Sequence, residues 1–511
     1  MGKLHEECGV FGIYSRTTKP MARLTYYALY ALQHRGQESA GIVVNDEGLF
    51  RFRRELGLVS EAMPEQEIER LGNGQMAVGH VRYATSGITN RINTQPIVVN
   101  HVKGRMALCH NGNLVNSYEL RSELEMNGCI FQSTTDTEAI SYIITRERIK
   151  TGSIEQAVNN ALDKLHGAYS LVIMSPSKLI AARDEHGFHP LCYGKLEDGS
   201  VVFASESCAI EAVGGKLVRD VEPGEIMVVD HNGIRSIKDH CNKVKRSMCV
   251  FEYIYFARPD SILDGASVHE ARVQAGRYLA QEHPVDADVV IGVPDSGLDA
   301  AVGYSRESGI PYGIGLLKNK YIGRTFIAPG QTERENLVRI KLNAIRSEIE
   351  GKRVILVDDS IVRGTTSERL VRIVREAGAK EVHMRITAPP FMNPCYYGID
   401  IDSRENLIAC QHSVEETAKI IGADSLGYIS VENVVRIADP TGQKGFCTAC
   451  FDGKYPTEVP SVTSKNRFEE KISKEWREQH TVKSDKDLSD GEYIELFDDN
   501  ACAAIKPEEK E

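Results

Sequence analysis

Long hydrophobic runs are missing from this chain of 511 residues. None approaches the ~20 apolar residues of a membrane span. The N-terminal MGKLHEE carries no apolar signal core, and Glu6 stands where a myristoylation motif wants Ser or Thr. A basic excess is missing too: the net charge is −11, which argues against a broad nucleic-acid surface. There is no internal repeat, and no second CxxC that would give zinc-ribbon spacing. What is present is an ordinary globular composition, 41% hydrophobic and 26% charged, long enough for two or more domains. The expectation is a cytoplasmic protein that engages neither membrane nor nucleic acid. Twelve cysteines without a secretory signal suggest metal or catalytic thiols before disulfides.

Two patterns divide the chain. Over residues 8–240, short alternating strands are separated by Gly, Asn and Asp turns: Cys8–Tyr14, Ala40–Val44, Met76–Arg82, Met106–Asn111, Ser170–Met174 and Val201–Ser205. Helices are expected at Ala22–Gln33, Thr137–Arg148 and Ile154–Leu165, with Thr134 and Asp136 as N-cap candidates for the second. This predicts an α+β, layered αββα arrangement. After a transition at about 241–270, nearly continuous apolar strands alternate with helices: Asp288–Val293, Tyr312–Leu316, Val354–Val357 and Glu381–Thr387. Such strands are buried on both faces of a parallel α/β sheet. Residues 461–511 are strongly charged and read as a helix plus an acidic tail.

One stretch carries chemistry on its own. The apolar run Val354–Val357 ends in adjacent carboxylates, Asp358 and Asp359. A turn with Arg363, Gly364, Thr365, Thr366 and Ser367 follows. A helical pattern then places Leu370, Val371, Val374 and Ala377 on one face, with Gly378 as its stop. Backbone N–H groups, hydroxyls and a helix N-terminus suit a phosphate; the acidic pair suits sugar hydroxyls or Mg²⁺.

Near the N-terminus, Cys8 is followed in order by His34-Arg35-Gly36-Gln37-Glu38-Ser39, Gly79-His80-Val81-Arg82-Tyr83-Ala84-Thr85, His110-Asn111-Gly112-Asn113 and Ser133-Thr134-Thr135-Asp136-Thr137-Glu138. Together these motifs resemble the class II glutamine amidotransferase domain, an N-terminal-nucleophile hydrolase. The resemblance implies that residues 1–7 are a propeptide whose removal gives Cys8 a free α-amine. Such an amine, with a pKa of about 7.7–8.0, suits general base or acid work at neutral pH. One residue then supplies both nucleophile and base. By the same resemblance, the Asn111 side chain and the Gly112 N–H stabilise the tetrahedral oxyanion. Arg82 pairs with the glutamine α-carboxylate, Asp136 meets its α-amino group, and Arg35 and Gly36 support the cysteine.

Cys447-Thr448-Ala449-Cys450 is a CxxC pair that reads as part of a zinc, redox or iron–sulfur site. Spacing does not choose its partners among Cys109, Cys129, Cys192, Cys208, Cys241, Cys249, Cys395, Cys410 and Cys502. The surroundings of two of them, Cys249-Val250-Phe251-Glu252-Tyr253-Ile254-Tyr255-Phe256 and Pro394-Cys395-Tyr396-Tyr397-Gly398-Ile399-Asp400, resemble the iron–sulfur branch of glutamine phosphoribosylpyrophosphate (PRPP) amidotransferases. That resemblance implies one [4Fe–4S] cluster per subunit on Cys249, Cys395, Cys447 and Cys450, structural or oxygen-sensing in role.

The Val357–Thr366 stretch resembles the PRPP motif of type I phosphoribosyltransferases. The resemblance puts Asp358 and Asp359 by the ribose hydroxyls and Mg²⁺, and the Arg363–Ser367 turn around the 5-phosphate. Val293-Pro294-Asp295-Ser296-Gly297 resembles the pyrophosphate loop, with Ser296 near the single Mg²⁺. Residues 318–341, with six Lys/Arg against two Glu, resemble the loop that closes over PRPP and contribute Lys318 and Arg324. Lys320 stands where some relatives have Arg, which keeps the charge and loses the planar fork.

The combined expectation is a propeptide at 1–7, a glutaminase domain at 8–240, a phosphoribosyltransferase domain with cluster-binding segments at 241–460, and a charged tail at 461–511. Ammonia from glutamine would displace pyrophosphate from PRPP to give 5-phosphoribosylamine, the committed step of purine synthesis. The family resemblance also implies a homotetramer inhibited by purine nucleotides. Two rivals are weighed. A glutamine–fructose-6-phosphate amidotransferase does not need the Asp-Asp/Thr-Thr loop. A PRPP-sensing regulator does not need Cys8, Asn111 and Asp136, and is expected to carry a basic module.

Overall fold

The computed structural model describes residues 8–83, 90–319, 342–399, 401, 403–439, 441–442 and 444–460. The sequence expectations for residues 1–7, Ala84–Thr85, Lys320, Arg324 and the tail at 461–511 lie outside them.

The N-terminal region is a four-layer αββα stack. Alternation within single strands builds it: Val10 and Tyr14 face one core while Phe11 and Ile13 face another. One antiparallel sheet has seven strands in the order 216–220, 192–195, 201–204, 9–19, 74–82, 39–46, 49–56. The second has six, in the order 233–237, 226–230, 179–183, 167–174, 104–114, 97–101. Val10, Val43, Val78, Cys109, Val172 and Phe203 fill the space between the sheets. Helix Met21–Ala31 covers the outer face of the first sheet. Helices Ser117–Met126, Asp136–Lys150 and Ile154–Leu162 cover the second.

The second region is a five-stranded parallel sheet in the order 312–313, 289–292, 353–358, 381–386, 425–428. Counted along the chain this is 2-1-3-4-5. The direction of winding therefore reverses between strands Val289–Gly292 and Arg353–Asp358, and a crevice opens at their carboxyl ends. Helix Thr365–Glu376 buries Leu370, Val371 and Val374, the face expected from its periodicity. Cys249, Cys395, Cys447 and Cys450 belong to the hydrophobic core of this region, which also takes in Val115, Ala168 and Phe188 from the first.

Two local expectations are corrected. Tyr312–Leu316 is not one strand: Tyr312–Gly313 joins the parallel sheet, while Leu316–Lys318 pairs antiparallel with Leu342–Ala344. Gly313 and Gly315 flank the exposed Ile314 and interrupt the run. The N-cap of helix Asp136–Lys150 is Thr135, neither Thr134 nor Asp136, because the Asp136 carboxylate is drawn instead to the Leu114 N–H.

Candidate active site

Cys8 lies at the head of the central strand of the first sheet and is 7% exposed. Its Sγ donates to the Tyr83 carbonyl at 3.5 Å. Arg35, fully buried, donates from Nε to the Cys8 carbonyl at 3.1 Å. Gly36 lets this loop lie against the strand that ends in Arg82, since a Cβ there would stand 2.6 Å from the Arg82 nitrogen. Arg82 is itself buried.

The expected oxyanion turn belongs to the second sheet, on strand Gly104–Leu114. The two sheets are joined beside it. His80, paired in register with Val10, donates from Nε2 to the carbonyl of His110 at 2.9 Å, one residue before Asn111. Gly112 has φ 135°, and a Cβ there would lie 2.2 Å from the Ala168 oxygen, so only glycine fits. The Asn111 side chain is 1% exposed, and its Nδ2 has no hydrogen-bond partner among the described residues. An amide donor held in the core without an acceptor is costly; it suits a site whose acceptor arrives with the substrate.

Asp136 accepts from the Leu114 N–H at 2.9 Å and lies 3.4 Å from His110 Nδ1. Burial would raise its carboxyl, but the facing His110 imidazole and the Leu114 amide outweigh burial and hold it below the usual carboxylate range. It is a buried anion with hydrogen-bond capacity left for a cation.

In the second region, the two sequence-predicted loops meet across the crevice. Ser296 precedes helix Gly297–Ser308, and its Oγ donates to Asp359 Oδ2 at 2.5 Å. Asp358, buried at the strand end, accepts from the Asp359 N–H at 2.9 Å. Helix Thr365–Glu376 starts one residue after Gly364, so the N–H groups of Thr365, Thr366 and Ser367 are its free first-turn donors. Arg363, Thr365 and Thr366 are exposed, while Ser367 is buried beneath them. Lys318 makes an ion pair with Asp295 on the opposite loop. Hard oxygens from Ser296, Asp358 and Asp359 are the donor set a Mg²⁺ ion takes.

The four cysteines singled out above line one enclosed pocket with Phe188, His189, Phe251, Tyr397 and Tyr455. Backbone contacts bring them there. Cys249 and Cys447 are paired in a two-residue parallel ladder, the Cys450 carbonyl accepts from Met392 and Asn393, and the Tyr397 N–H donates to Cys395 Sγ at 3.4 Å. Burial and the neighbouring Cys395 thiol, against the Ala449 N–H, push the Cys447 thiol up to about 12. Among the described residues no three His, Cys, Asp or Glu side chains are arranged around a single ion. Four thiols in an apolar lining are the kind of donor set an iron–sulfur cluster takes. The donor set thus fits a cluster.

Four residues to which the sequence reading gave no role also belong here: His80, His189, Glu206 and Glu252. Glu206 accepts from His34 at 2.7 Å, Arg35 at 2.7 Å and Ser261 at 2.6 Å. The signal available for Glu252 was a carboxylate inside the apolar run Val250–Ile254, which marks a buried ion pair.

Both regions match known protein families. A family model described as a glutamine amidotransferase domain matches residues 80–212, and one described as a phosphoribosyl transferase domain matches residues 265–393. The chain is 49% identical over 454 residues to an amidophosphoribosyltransferase of Archaeoglobus fulgidus, covering 89% of this chain and 98% of that one. It is 49% identical over 463 residues to that of Bacillus subtilis, covering 89% and 95%. A solved structure of glutamine PRPP amidotransferase from B. subtilis, complexed with ADP and GMP, superposes with a TM-score of 0.83 at 47% identity, covering 90% of this chain and 100% of that one.

Proposed function

The chain belongs to the amidophosphoribosyltransferase family, and on that premise we propose how its residues divide the reaction. The enzyme takes ammonia from glutamine and uses it to displace pyrophosphate from PRPP, giving 5-phosphoribosylamine and glutamate in purine synthesis. In our reading, Cys8 attacks the glutamine side-chain amide, its freed α-amine taking the thiol proton and passing it to the departing ammonia. Water then hydrolyses the thioester. Asn111 Nδ2 and the Gly112 N–H receive the oxyanion, Arg82 the α-carboxylate and Asp136 the α-ammonium. The observation that carries this half is the buried, unpartnered Asn111 amide.

Ammonia then attacks C1 of PRPP, and pyrophosphate leaves with inversion. The first-turn donors of Thr365–Ser367, with Arg363 and Gly364, hold the 5-phosphate. Asp358 and Asp359 face the ribose hydroxyls. Ser296, Asp358 and Asp359 would hold Mg²⁺, which when bound neutralises charge on the leaving group. Cys249, Cys395, Cys447 and Cys450 would hold a [4Fe–4S] cluster, which when bound supplies a covalent tie rather than chemistry at the substrate. The roles of Lys318 and Arg324 in closing over PRPP, a homotetrameric assembly and feedback by purine nucleotides complete the proposal. The ADP and GMP in the B. subtilis structure support the last. A cytoplasmic location, where thiols such as Cys192 and Cys208 stay reduced, belongs to the same proposal.

Glutamate release tests the whole. In anaerobically purified protein it should be strongly PRPP-dependent, the mature mass should begin at Cys8, and iron should be present with charge-transfer absorption. Full activity in a chain that keeps Met1 or Gly2 rejects the α-amine, and iron-free active protein rejects the cluster.

A further inference from the structure

Glu252 lies three residues beyond Cys249, between the two regions, and has no exposed surface. Its oxygens take both terminal nitrogens of Arg35: Nη1 donates to Oε2 at 2.9 Å and Nη2 to Oε1 at 2.7 Å. Nε of the same guanidinium donates to the Cys8 carbonyl at 3.1 Å. A guanidinium is rigid and planar, so clamping one edge fixes where its Nε–H points. Behind Glu252, His189 Nδ1 lies 3.5 Å from Oε1, and His189 Nε2 donates to the Tyr397 carbonyl at 2.7 Å. Charge alone does not call for this carboxylate. Glu206 is already a counter-ion for Arg35 at 2.7 Å, but it is shared with His34, the Arg258 N–H and Ser261 and meets only one guanidinium nitrogen through Oε1. Glu252 instead takes both terminal nitrogens of the fork and so holds its plane.

We propose that Glu252 is a positioning residue for the glutaminase half-reaction: through Arg35 it fixes the Cys8 backbone and hence the direction from which Sγ attacks. The proposal rests on Cys8 being the nucleophile. Displacing a reacting atom by about an ångström costs on the order of a hundredfold in rate, so an effect of roughly ten- to a hundredfold is expected. Because the clamp touches no substrate, it should appear in kcat rather than in KM.

The test uses the full-length enzyme as wild type, Glu252→Gln, Arg35→Lys and the double variant. Each is assayed with glutamine, with saturating ammonium, and for alkylation of Cys8 by azaserine, an electrophilic glutamine analogue. Expected for Glu252→Gln are a loss of roughly ten- to a hundredfold in glutamine-dependent kcat, a parallel fall in alkylation rate, little change in KM for glutamine, and an ammonia-supported rate within about twofold of wild type. The double variant should be no worse than the poorer single one, because both changes break the same link. Wild-type alkylation in Glu252→Gln, losses that multiply in the double variant, or an equal fall with ammonium would each overturn the proposal. If Glu252→Gln does not fold, Glu252→Asp keeps the charge and withdraws it by one methylene; the same slowing of alkylation is expected, and an unchanged rate rejects the role. A wild-type Cys8 that azaserine does not label removes the nucleophile and this inference together.

Discussion

The two halves of the molecule hold their chemistry in opposite ways. In the glutaminase half, Arg35, Arg82, Asn111 and Asp136 are all at least nine-tenths buried, each fixed by strands of two packed sheets or by a buried ion pair. In the phosphoribosyl half, Arg363, Thr365 and Thr366 stand exposed at a helix start, and Asp359 is half-buried. The difference follows the substrates. A carboxamide must meet a nucleophile and an oxyanion donor in a dry, preset geometry, because the stabilisation of a developing oxyanion is strong only where water is excluded. A polyphosphate sugar carries its own charge, so backbone donors at a crevice suffice until the substrate arrives.

Cys8→Ser is the widest test of that contrast. It should take glutamine-dependent turnover to background, a loss on the order of a millionfold if it resembles other nucleophile deletions, while product formation with high ammonium persists. Loss of both activities in folded protein would break the division. Replacing both Asp358 and Asp359 by Ala should lower turnover with either nitrogen source, on the order of a thousandfold; a loss confined to glutamine would put these carboxylates in the wrong half. Asn111→Ala should cost roughly a hundred- to a thousandfold in kcat with glutamine, with KM for glutamine nearly kept and ammonia use intact. A change in KM alone would make Asn111 a binding group rather than an oxyanion donor.

The smallest effect concerns acid. Burial holds His80 at about 3 in the folded protein, against about 6.5 in an unfolded chain. Between these values the unfolded chain binds a proton that the folded one refuses. Stability therefore falls as pH drops from about 6.5 toward 3, by about 2 kcal/mol at pH 5 from this group alone. His80→Gln should flatten that part of the stability–pH curve measured by denaturant unfolding. Identical slopes in the two proteins would show that the imidazole between the sheets is not titrating as its burial requires.

Much of this was legible in advance because the signals were local. The short apolar stretch Cys8–Tyr14 marked a strand, and Gly9–Lys19 is one. The run into Asp358-Asp359, and the periodicity of Leu370, Val371 and Val374, marked a strand, a loop and a helix. The misreadings were local competitions settled at long range. Asp136 is a residue type suited to a helix cap, yet the Leu114 N–H at the end of strand Gly104–Leu114 claims it. Tyr312–Leu316 has the hydropathy of one strand, but Leu316 finds its partner in Ala344.

By itself, then, the sequence determined the two layered architectures and the strand, acidic pair, polar turn and helix that run from Val354 to Glu376, because each is written in the pattern of its own segments; the residues of the glutaminase site came through family resemblance. Tertiary structure alone decided which groups are joined. It set Ser296 against Asp359 across 63 residues, paired Cys249 with Cys447, and closed Glu252 onto Arg35 across 217. Such contacts are chosen by the packing of buried cores and the need to pair buried charge, and neither leaves a period in the sequence to read.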